Sequence, residues 1–128
     1  SVSSLEKLIK SHKIDTIYTH WAGDSNQDHI ATFKTTMAAA RYVPNVFCYE
    51  QIPVPRHTEN EMTINYYSDI TEYMEQKIKV AECHISQIKK YKKAGFDVPH
   101  RLRVLGEFRG IQANCGYAEG FHLIKKVS

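Results

Sequence analysis

Within ten residues, His20-Trp-Ala-Gly-Asp24-Ser-Asn26-Gln-Asp28-His29 gathers two histidines and two carboxylates. Imidazole nitrogen and carboxylate oxygen are ligands suited to zinc, and a carboxylate beside a ligating histidine can orient its second nitrogen. A plainer role fits the same residues: His29 beside Asp28 at the start of a helix can be a capped, solvated terminus. Spacing alone leaves both readings open.

The elements around this stretch place it at the end of a strand. Residues 13–19 (KIDTIYT) alternate β-branched and aromatic side chains, which predicts a strand running into a polar loop at 20–28. Ile30, Phe33, Met37 and Ala40 then recur at steps of three and four, with Ser25 and Asp28 available as caps, so a helix is expected to about Tyr42. Pro44 breaks it, and 46–52 (VFCYEQI) reads as a second strand ended by Pro53 and Pro55. In open α/β sheets, ligand sites gather at the carboxyl ends of strands, where both His20 and the pair Tyr49 and Glu50 fall.

Upstream, Ser3-x-x-Glu6 predicts a capping box for a short helix carrying Leu5, Leu8 and Ile9. Downstream, 56–66 is polar and irregular, a loop suited to the substrate side. Asp69-Ile-Thr-Glu72 predicts a second capping box, opening one long helix with the stripe Met74, Ile78, Ala81, Ile85 and Ile88. His84 and Gln87 on that helix read as a hydrogen-bonded face. Gly95 stops it, Pro99 suits the first turn of a further helix with Leu102, Leu105 and Phe108, and 121–127 is the last strand. This order suits an α/β layered sheet.

Composition narrows the classes. A net charge of +3 with dispersed lysines gives little support to nucleic-acid binding, and the run Lys89, Lys90, Lys92, Lys93 reads as a solvated helix end. No apolar run reaches the length of a membrane span. Cys48, Cys83 and Cys115 are odd in number and widely spaced, so a reduced, cytoplasmic setting is expected. No signal segment precedes them, and the opening Ser1 reads as that of a fragment or processed product. The glycines do not form G-x-G-x-x-G, which disfavours a nucleotide-binding domain.

The ordered series Asp15-Thr-Ile-Tyr-Thr-His20, Gly23-Asp24-Ser-Asn26-Gln-Asp28-His29, Tyr49-Glu50, Asp69-Ile with Lys77, His84-Ile-Ser86-Gln87, Arg109-Gly110 and Ala118-Glu119-Gly-Phe121 resembles the PIG-L/LmbE-like zinc-dependent de-N-acetylases along nearly the whole chain. The resemblance implies an α/β, layered Rossmann-like sheet flanked by helices, of which residues 1–128 supply the C-terminal part. In that family an N-terminal A-H-P-D-D-E motif gives a histidine and an aspartate to zinc, and a later [HN]-x-D-H motif gives a second histidine. Asn26-Gln27-Asp28-His29 matches the later motif, so His29 corresponds to the metal ligand, and Asp28 is expected to orient or charge its surroundings. Asn26 stands where many members have the histidine assigned to oxyanion stabilisation, so Asn26 or His20 is expected to supply that donor. Asp24, Tyr49 and Glu50 are expected to contact substrate, and Glu119 to play a structural part, as a cap or as the partner of an arginine such as Arg109.

No A-H-P-D-D-E segment occurs in the 128 residues. The expectation is therefore an incomplete sheet and an incomplete zinc site, completed by that segment or covered by self-association. The implied function is hydrolysis of an N-acetylated sugar or sugar conjugate by the parent protein, with this fragment inactive alone. The alternative from a different class is a non-catalytic α/β module that binds a partner chain along an open sheet edge.

Overall fold

The computed structural model describes residues 1–51 and 61–128. The expected end of the second strand at Ile52, Pro53 and Pro55, and the first part of the 56–66 loop, lie outside the described residues. Among the described residues four strands join in the order β1-β2-β4-β3, accompanied by five α-helices, which is the α/β layered class read from the sequence. The described residues fall into two compact units, 1–51 with 61–66 and 121–128, and 67–120.

In the first unit, α1 (Val2–Ser11) is capped by Ser1, whose hydroxyl accepts the N–H of Ser4, two residues earlier than the Ser3 box expected. Lys13 takes a left-handed φ of 51°, which turns the chain and shortens β1 to Thr16–Thr19. The helix α2 spans Gln27–Ala39 and leads back to β2, Asn45–Tyr49. β1 and β2 are parallel, Thr16 opposite Asn45 through Thr19 opposite Cys48, so α2 is the crossover of a βαβ unit and both strands end at the same edge.

Alternation along the strands sorts the side chains. Ile17 and Val46 face the helices and join Ala40, Val43, Ile9, Met37 and Ile124 in one apolar cluster. Fully burying a side chain such as Val46 contributes about 1.5–3 kcal/mol. The buried hydroxyl of Thr19 donates to that of Thr36 at 3.2 Å, tying the end of β1 to α2. On the opposite face Tyr18 stacks on Phe47 at 5.3 Å, with Phe121 and Tyr66 edge-on nearby. β4 (Ala118–Lys126) runs antiparallel to β2, three residues longer at its start than expected, with a register shift at Val46/Phe47.

The second unit departs further from expectation. Tyr66–Asp69, between the loop expected to end at Tyr66 and the capping box expected at Asp69, is the strand β3, which crosses from the first unit into the second. Asp69 does not open a capping box: its carboxylate accepts both the N–H and the hydroxyl of Thr71, a local turn that leads into a 3-10 turn at Thr71–Tyr73. The single long helix is two, α3 (Met74–Glu82) and α4 (Ile85–Lys93), broken at Cys83 and His84. The break resets the phase of the stripe. Met74 and Ile78 are buried and Ala81 and Ile88 pack against them, but Ile85 is 61% exposed. His84 sits at the N-cap of α4 and not on a continuous helix face.

The last helix, α5 (Val98–Ala113), has Pro99 in its first turn, as expected, and is capped by Asp97, which accepts the N–H of His100. Its Val98 and Leu102 complete the core with Ile70, Met74 and Ile78. At Gly110 an added Cβ would lie 2.6 Å from the carbonyl oxygen of Gly116 and 2.7 Å from that of Cys115, so glycine is what allows the chain after α5 to fold back against the helix. Glu119 pairs with Lys77 at 2.7 Å, a structural ion pair of the kind expected but with a lysine in place of Arg109.

Candidate functional site

The parallel pairing of β1 and β2 brings His20, one residue past β1, level with Tyr49, the last residue of β2. Between them the loop folds on itself. Asp24 Oδ1 accepts the N–H of Asn26 at 2.9 Å, and Asn26 Oδ1 in turn accepts the N–H groups of Asp28 at 2.9 Å and His29 at 3.3 Å. Asn26 is thus the N-cap of α2, in place of the Ser25 or Asp28 expected, and it fixes His29 as the third residue of the helix. Trp21 folds over Gly23, where an added Cβ would meet the indole at 2.5 Å.

This loop sets Asp24 Oδ2 3.1 Å from His29 Nδ1, with the Asp24 side chain only 4% exposed. A carboxylate accepts, so Nδ1 is the donor; in the neutral ring Nε2 then keeps its lone pair, the tautomer in which Nε2 can bind a metal. The His20 and His29 rings stack at 3.9 Å and within 4° of parallel. Lone pairs lie in the ring plane, so those of two parallel rings do not converge on one ion. Among the described residues no three His, Cys, Asp or Glu side chains gather as a metal site.

Tyr49 reaches His20, its hydroxyl 3.0 Å from each ring nitrogen. Burial, and then the negative charge of Asp24, raise its phenol above the ordinary tyrosine value. Cys48, fully buried behind it, donates its thiol to the His20 carbonyl at 3.4 Å, and burial pushes that thiol up to about 11. The sequence did not single out Cys48 for this site, although its place one residue before Tyr49 in an apolar strand was the available signal.

His20, Asp24, Asn26, His29 and Tyr49 therefore form one connected group. Asp28 is adjacent but separate: it is exposed on the first turn of α2 and lines a groove with Leu5, Ala31 and Thr32. Glu50 follows Tyr49 at the end of β2, partly buried.

No family model matches the chain. An uncharacterized deacetylase of Escherichia coli K12, YaiS, is 35% identical in a 54-residue alignment that covers 38% of this chain and 29% of that protein. Among solved structures, GalB, the 4-carboxy-2-hydroxymuconate hydratase of Pseudomonas putida KT2440, superposes with a TM-score of 0.80 at 17% identity, over 99% of this chain and 59% of its own. The N,N'-diacetylchitobiose deacetylase of Pyrococcus horikoshii gives 0.68 at 18% identity, over 97% and 51%. The fold is that of the PIG-L/LmbE-like proteins. A conserved protein of Thermus thermophilus, TT1542, also shares this PIG-L/LmbE-like fold, with a TM-score of 0.74 at 17% identity over 98% of this chain and 58% of that one. The chain spans between half and three-fifths of the length of these three solved chains.

Proposed function

We propose that the protein is a zinc-dependent hydrolase that removes the acetyl group from an N-acetylated sugar or sugar conjugate, and that this chain supplies one metal ligand and part of the substrate side of the site. The observation that carries this reading is the buried Asp24 carboxylate at His29 Nδ1, 3.1 Å away, which leaves Nε2 of His29 as a prepared ligand at a strand-end loop. The described residues fit one ligand of a zinc centre and not the whole centre. In this reading the other ligands, and the base that takes a proton from the attacking water, come from outside the described residues. Zinc would supply a Lewis acid toward the acetyl carbonyl.

The chain's own residues divide the remaining work. His20 is the imidazole donor for the oxyanion that forms when water adds to the carbonyl. Asn26 has committed its Oδ1 to the helix cap, so its side-chain N–H₂ is what it can offer beside His20. Asp24, expected from the sequence to hold sugar hydroxyls, acts through His29, and Asp28 and Glu50 shape the charge at the rim. Tyr49 and Glu50 lie at the carboxyl end of β2, where substrate would arrive.

A second reading is hydration of an unsaturated acid, favoured by the 0.80 superposition on a hydratase. Hydration and amide hydrolysis both add water to an electrophilic carbon, so the shared fold serves either. The deacetylase reading takes precedence because the sequence match to a curated protein and the Asn26-x-Asp28-His29 pattern both point that way. The deciding experiment measures bound zinc and acetate released from N-acetylglucosamine conjugates by the natural protein and its His29→Ala variant. Loss of both in the variant supports the proposal. Unchanged zinc content and acetate release would overturn it, and turnover of 4-carboxy-2-hydroxymuconate without acetate release would move the protein to the hydratase reading.

A further inference from the structure

The Tyr49 hydroxyl is equidistant, at 3.0 Å, from Nδ1 and Nε2 of His20. Those nitrogens flank a single carbon, so an oxygen in the ring plane at that range from both would overlap it. The hydroxyl therefore lies over a face of the imidazole. The parallel His29 ring at 3.9 Å already fills one face, which leaves the other to Tyr49.

His20 is thus held between a ring on one side and a hydroxyl on the other, and each comes from regular structure. Tyr49 is placed by the β2 ladder, opposite Phe121, and His29 by the first turn of α2 and its bond to Asp24. The raised phenol keeps Tyr49 a neutral hydroxyl, able to donate toward the π face as a weak hydrogen bond. A ring clamped on both faces can no longer swing about its Cβ–Cγ axis, so its N–H points in a fixed in-plane direction. An oxyanion donor needs that constraint, because its effect depends on aim toward the position where charge develops.

We infer that Tyr49 is a positioning residue, setting the plane of the His20 imidazole against His29 and acting on the reaction through His20, not through contact with substrate. The effect on rate rests on the deacetylase reading; the clamp itself does not.

Two measurements on the natural protein and its Tyr49→Phe variant separate these. The first is the set of His20 ring-proton and nitrogen resonances, with His12, His100 and His122 as internal references. Loss of the hydroxyl should move the His20 signals, and with them those of the stacked His29 ring, while the three references stay in place. The second is steady-state acetate release, in which kcat should fall roughly tenfold with KM little changed, the size of loss typical when a group orienting a reactive residue is removed. Unmoved His20 resonances, or a raised KM at unchanged kcat, would overturn the inference, the latter by making Tyr49 a substrate contact. If the His20 signals move in a protein that never releases acetate, the deacetylase reading fails and the clamp stands.

Discussion

Asp24 and His29 are five residues apart, and their side chains meet at 3.1 Å because the intervening Asn26 closes a turn against Asp24 and caps the helix that carries His29. One short segment therefore sets both the ligand and the group that orients it. Asp24→Asn should lower zinc retention and acetate release roughly ten- to a hundred-fold, the usual cost of losing a carboxylate behind a ligating histidine. Asp28→Asn should cost less than Asp24→Asn in both. The reverse ranking, by metal analysis after dialysis, would remove Asp24 from this role.

Asn26 has two tasks that substitution can separate. Asn26→Ala removes the cap of α2 and should cost about 1 kcal/mol in denaturant unfolding, whereas Asn26→Ser keeps a capping oxygen and most of that stability. If the side-chain N–H₂ also helps the oxyanion, Asn26→Ser should fold like the parent yet turn over more slowly. Equal rates in the parent and the serine variant would leave Asn26 with the cap alone.

Cys48 gives a pH dependence of known sign. Its thiol is pushed up to about 11 by burial, above the ordinary cysteine value, so between roughly pH 9 and 11 the folded state keeps a proton that the unfolded chain releases. Stability should be insensitive to this group below pH 9 and fall through that window, by on the order of 2 kcal/mol in all. Cys48→Ala should flatten that part of the curve. At neutral pH a thiol reagent should modify the exposed Cys83 first and reach Cys48 only on unfolding.

Two glycines of α5 make a matched pair. Alanine gains up to about 1 kcal/mol of helix propensity at either position. At Gly110 the new Cβ would meet backbone oxygens at 2.6 and 2.7 Å, and such overpacking costs about 1–3 kcal/mol, so Gly110→Ala should be destabilising. At Gly106 the nearest atom is the flexible Met74 sulfur at 3.1 Å, and Gly106→Ala should be near neutral or better. Thermal unfolding of both variants tests the ranking.

Where local chemistry decided structure, the sequence was readable. The alternation of Ile17 and Thr19 and the helical spacing of Ile30 to Ala40 gave β1, α2 and β2, and with them the strand-end position of His20 and Tyr49. The caps were misread because Ser3 and Asp69 match a motif that their neighbours pre-empt. Ser1 reaches the helix first, and Asp69 spends its oxygen on Thr71. The α3/α4 break carries no proline or glycine to announce it, and an apolar period that resumes at Ile88 conceals the slip at Ile85. β3 is too short for alternation to show. At the site, sequence distance favoured Asp28 as the partner of His29, because adjacency was legible and the turn that delivers Asp24 was not.

The register shift in β4 has a bearing on how this strand tolerates change. Phe47 stands opposite Leu123 and Val46 opposite Lys125, so Ile124 is an extra residue that packs into the helix-side cluster. The ladder is thereby divided into two separately phased stretches. The stretch holding Cys48 and Tyr49 against His122 and Phe121 keeps its alignment whatever happens beyond the bulge, which makes the tail of β4 a joint where single-residue insertions and deletions can be absorbed over generations without re-aiming Tyr49.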